Sequence, residues 1–67
     1  MNHIVMRTIN VYDDRSGTSK LVATHENVQE DWSTPKILTY FGIADHLRVV
    51  QILGGKVRTL QPGAATT

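Results

Sequence analysis

The chain has no cysteine, one tryptophan, one phenylalanine and two prolines among 67 residues. Without cysteine there is no disulfide bracing and no thiolate-ligated metal centre. No apolar run approaches the ~20 residues of a membrane span. No leader-like apolar stretch stands near the N-terminus, so a soluble, intracellular protein is expected. His3, His25 and His46 lack the i, i+4 spacing of a helical metal pair. The run His25-Glu26 with Glu30-Asp31 reads as a solvated acidic loop rather than a cation site. Ser16, Ser19 and Ser33 stand in turn-like contexts with no base or nucleophile elbow beside them. These absences point away from enzymes, and no catalytic residue, metal or cofactor of its own is expected.

Small size sets the second constraint. Residues 1–67 read as one small domain, and a domain of roughly 60 residues hides only about 60% of the surface of its unfolded chain. One core of this size contributes no more than ~3–5 kcal/mol. With no disulfide or metal to add to it, folding is expected to be supported by a partner or by self-association. Charge is balanced in total, at +1, but not along the chain. Asp13, Asp14, Glu26, Glu30 and Asp31 face only Arg15 and Lys20 in the 13–31 segment, whereas Arg48, Lys56 and Arg58 follow His46 with no acid among them. Such asymmetry can orient a protein against a charged partner.

Residues 4–12 are rich in β-branched and aromatic types. One strand face would carry Ile4, Met6, Thr8, Asn10 and Tyr12, the other Val5, Arg7, Ile9 and Val11. Apolar groups on both faces predict an interior strand. Residues 13–17 supply turn chemistry, and residues 20–24 could return as a hairpin partner. Residues 25–33 read as a loop whose single Trp32 folds back on the core. At Thr34-Pro35 the pattern resembles a helix N-cap followed by proline. Residues 36–41 are β-prone, however, and Gly42 would stop a helix after two turns, so a strand at 36–40 is expected. Ile43, Leu47 and Val50 at i, i+4 and i+7 predict an amphipathic helix over 43–53, stopped by Gly54-Gly55. Glycines after a helix, not before one, make no phosphate cradle. Residues 56–60 alternate as a last strand. The expected fold is α+β: a two- to four-stranded, mostly antiparallel sheet with one amphipathic helix packed on it.

From Tyr40 to Pro62 the order tyrosine, helix, Gly-Gly and Val/basic strand, carried by Tyr40, Ile43, Asp45, Leu47, Val50, Leu53, Gly54, Gly55, Lys56, Val57, Leu60 and Pro62, resembles the small phycobilisome linker family, the CpcD-like domain. The resemblance implies a colourless linker in the cavity of a disc of bilin-carrying phycobiliprotein subunits. It would cap or join discs and adjust nearby bilins, on the stromal or cytoplasmic side of thylakoid membranes. Tyr40, Phe41, His46, Arg48, Lys56 and Arg58 would be its partner contacts. A second expectation is a small inhibitor or interaction module, such as a phage-encoded protein, using the acidic 13–31 segment. A third is a nucleic-acid-binding regulator using the basic C-terminal residues beside Tyr40 and Phe41. Seven Lys/Arg against six Asp/Glu is thin for phosphate binding, so nucleic acid ranks last.

Overall fold

The computed structural model describes residues 4–63. Along the chain come β1 (Met6–Asp13), β2 (Lys20–Gln29), α1 (Thr34–Phe41), β3 (Arg48–Leu53) and β4 (Lys56–Gln61). The four strands form one sheet in the order β2-β1-β3-β4, and every neighbouring pair is antiparallel. The first strand therefore lies inside the sheet, as its two apolar faces predict. Ile9 and Val11 are at most 1% exposed and share their face with Arg7, while Met6 on the other face is 44% exposed. The α+β class and the antiparallel sheet match expectation. The position of the helix does not.

Residues 36–40 are helical rather than extended, because capping at both ends outweighs their β propensity. Ser33, not Thr34, is the N-cap, and its Oγ accepts from the Lys36 N–H at 3.3 Å. Pro35 occupies the first turn, where its missing N–H is not needed. Gly42 takes φ +65°, its N–H reaches Thr39 O at 3.3 Å, and the Ile43 N–H reaches Leu38 O at 2.9 Å. Those two bonds close the helix in a Schellman arrangement that needs a left-handed residue at position 42. Ile37 is the side chain the helix buries fully, against Ile9, Val11, Val28 and Val49.

Residues 43–53 are not a helix. A turn closed by the Leu47 N–H on Ala44 O leads into β3, whose Val49, Val50 and Ile52 are β-branched. That strand pairs with β1 from Thr8↔Ile52 to Tyr12↔Arg48. The i, i+4, i+7 pattern is a coincidence: Ile43 and Leu47 lie in the segment before the strand, and Val50 lies in β3. Gly54 and Gly55, at φ +56° and +80°, then form the two-residue turn between the paired Leu53 and Lys56. Two successive left-handed residues are what a type I′ hairpin demands. The pair is a hairpin turn, not a helix stop.

The hairpin expected at residues 20–24 is present and runs on to Gln29, through residues expected to be loop. Its register shifts twice, at Leu21–Ala23 and again between His25 and Val28, where Asn27 takes φ +60°. These bulges bend the strand, which forms one edge of the sheet.

Candidate functional site

The second bulge places residues 26–29 beneath the end of α1. There Trp32, from the turn after β2, meets Tyr40 and Phe41 from the last helical turn. Trp32 and Tyr40 contact edge-on with centroids 5.0 Å apart, and Tyr40 and Phe41 do the same at 5.0 Å and 86°. Trp32 and Phe41 lie 6.4 Å apart. Phe41 also stacks on His25 at 3.8 Å, and Lys36 Nζ stands 4.4 Å over the Trp32 ring. Tyr40 is 68% exposed, whereas Trp32 and Phe41 are half-buried and packed against the core. The rings close one side of a cleft of about 260 Å³, with Glu26, Asn27, Val28 and Gln29 on the other.

A buried arginine fixes the turn that carries Trp32. Arg7 Nη2 donates to Trp32 O at 2.7 Å and to Gln29 O at 3.2 Å, while Nη1 donates to Gln51 Oε1 at 2.7 Å. The Glu30 N–H on Val5 O, at 2.8 Å, adds a backbone tie. Burial pulls the Arg7 pKa below its ordinary value; Glu30 and Asp31 oppose that pull and Arg58 adds to it. The guanidinium thus serves as a strut between β1, β3 and the turn. Its signal in the sequence was a charge on the Val5, Ile9, Val11 face.

A second polar cluster lies at the β1–β2 turn. Asp14 accepts from Arg48 Nε at 2.8 Å and from the Ser19 hydroxyl at 2.7 Å, and Arg48 lies 4.4 Å over the Tyr12 ring. Asp13 accepts from the Arg15 side chain and backbone, bonds that hold its carboxyl down at about 2. Bonds from Arg48, then Ser19, lower that of Asp14 as well. Both folded values lie below the ordinary ~3.9, so the stabilisation is complete above about pH 4 and is lost as pH falls toward the folded values. Between pH ~4 and ~2 the melting temperature of the wild type should fall more steeply than that of an Asp13→Asn/Asp14→Asn variant. Parallel acid limbs would remove both carboxylates from the account.

The six residues expected as partner contacts are separated by the fold. Tyr40 and Phe41 stand together at the cleft, beside the β2 edge. Lys56 and Arg58 are exposed on β4, the opposite edge. Arg48 is held by Asp14, and His46 lies in the loop before β3, near enough to Asp13 to help lower its pKa. The basic residues and the aromatics therefore do not form one patch. No match is found among protein-family models, curated proteins or solved structures. Among the described residues no helix is long and apolar enough to cross a membrane, and no three His, Asp or Glu side chains gather as a metal ion would need. What sequence reasoning missed is that Glu26, from the acidic segment, shares a cleft with Trp32 and Tyr40. The bulge that brings them together left no periodic signal.

Proposed function

We propose that the protein is a small, non-enzymatic protein-binding module that docks its partner on the Trp32–Tyr40–Phe41 surface. The observation that carries the proposal is Tyr40: 68% exposed, yet held edge-on between two rings on a helix capped at both ends. A preorganised aromatic costs little side-chain entropy on binding, and tyrosine and tryptophan are enriched among the residues that dominate interface energies. The acidic segment contributes through Glu26 at the same cleft.

A phycobilisome linker is one form of such a module and stands as the second reading. It is favoured by Tyr40 itself, the tyrosine that opens the register of that resemblance, and weakened by the replacement of its helix with β3. Capture on tagged protein from native cell extract tests both. Bilin-coloured subunits in the eluate would support the linker form; a colourless protein would support the general one. In either case Tyr40→Ala should lower partner affinity by about 30-fold or more, the loss typical of a central anchor. Lys56→Ala/Arg58→Ala, on the far edge, should change it less than about threefold. The reverse order of effects would move the binding surface to β4 and end the proposal.

A further inference from the structure

We infer that the cleft between Trp32, Tyr40 and Glu26 is a receptor for a single cationic side chain, lysine or arginine, of the partner protein. The inference rests on the docking proposal and specifies its chemistry. Trp32, Tyr40 and Phe41 line one space, with Tyr40 edge-on to both of the other rings, and the electron-rich face of an aromatic ring attracts ammonium and guanidinium groups. At about 260 Å³ the cleft is smaller than the ~300 Å³ at which small-molecule pockets begin, and suits one long side chain. Val28, 4% exposed, offers an apolar wall for an aliphatic stem, and the exposed Glu26 supplies the carboxylate for its head. Glu30 and Asp31 form the turn itself, just before Trp32, and add to the acidity of this end of the sheet.

One further contact shows a ring of this cleft accepting a cation, and one feature of β2 disfavours a strand as the occupant. The Trp32 indole already carries a cation, the chain's own Lys36 at 4.4 Å, and Lys36 does not line the cleft. The contact marks the indole as a ring that accepts an ammonium group, and the Glu26 carboxylate offsets the Lys36 charge toward a second cation. The bulge at Asn27 also interrupts the β2 ladder at this point, which makes the edge a poor template for an added strand. What remains to recognise is a side chain.

Trp32 is the chain's single tryptophan, so its fluorescence reports the site directly. The full chain would be titrated with the N-acetyl methylamides of lysine, arginine and norleucine, the last being a neutral match to the lysine stem. Saturable changes are expected with both cations, with norleucine binding about threefold to thirtyfold more weakly. Glu26→Gln should weaken the cations alone, by about fivefold, and leave norleucine unaffected. Tyr40→Leu, which keeps apolar bulk, should reduce the preference for cations over norleucine. Equal binding of lysine and norleucine probes, or no saturable change with any of them, overturns the inference. If partner capture still depends on Tyr40 in that event, the docking proposal survives without its cation. If capture is indifferent to Tyr40, the docking proposal itself fails.

Discussion

An Ile37→Ala variant is expected to be largely unfolded at room temperature. Ile37 is fully buried and is the contact through which α1 closes the core over Ile9, Val11 and Val49. Removing that much buried side chain costs ~2–5 kcal/mol, because the site collapses only in part. A core of this size contributes ~3–5 kcal/mol in total, so the cost and the reserve are comparable. Far-UV circular dichroism and Trp32 fluorescence should lose their cooperative transition together. Each 1 kcal/mol lowers the melting temperature by about 4–8 °C in a domain of this length. A variant that melts within a few degrees of the wild type would mean that α1 is not what holds the sheet face closed. Leu38→Ala, one position along and half-buried, should cost clearly less.

The second large effect is expected at Arg7. Arg7→Met keeps most of the buried volume but takes the guanidinium from Gln51 Oε1 and the Trp32 carbonyl, while the Gln29 carbonyl keeps the Trp32 N–H at 3.2 Å. Bonds from a charged donor contribute about 1.5–3 kcal/mol each in such settings. Part of that loss is offset because the guanidinium no longer has to be desolvated, and the two carbonyls can regain water if the turn opens. A net loss of about 2 kcal/mol is expected. Adding Gln51→Leu should recover some of it, since an apolar pair replaces a half-satisfied polar one. Denaturant titration of the two single variants and the double would measure the coupling directly. A cycle that closes additively would refute the strut. Where Arg7→Met still folds, amide exchange of residues 29–32 should quicken ahead of the rest of the sheet, and partner affinity should fall because Trp32 has lost its anchor.

How much of this was legible beforehand depended on whether the determinants were local. The β-rich run 4–12 identified an interior strand, and its Arg7, Ile9, Val11 face is the one that packs, while Val5 ahead of it is exposed. Residues 56–60 were legible for the same reason. The helix was misplaced by about ten residues, since two kinds of signal competed. Ser33, Pro35 and Gly42 are specific but brief punctuation. Ile43, Leu47 and Val50 matched a period by chance, across a turn and a strand. The Gly54-Gly55 doublet had a meaning set by its flanks: beside a helix it is a stop, and between two strands it is a turn. The candidate site was legible only in pieces. Tyr40 and Phe41 could be picked out as partner contacts, but their union with Trp32 and Glu26 depends on a bulge, and a bulge leaves no mark in a single sequence.

The interior position of β1 also governs how the chain must assemble. Both hairpins are closed by short turns and can form from neighbouring residues, on the timescale of microseconds. The seam between β1 and β3 is different: Arg7 and Gln51, which meet there, are 44 residues apart along the chain. Joining the halves is the step that carries the loop-closure entropy, and it sets the speed of folding. During synthesis, the first hairpin emerges with Ile9 and Val11 uncovered, α1 follows with Ile37, and the free edge of β1 stays open until β3 has left the ribosome. Residues through β3 must be made before the edge of β1 is protected, which makes the newborn protein most prone to stray association during that interval.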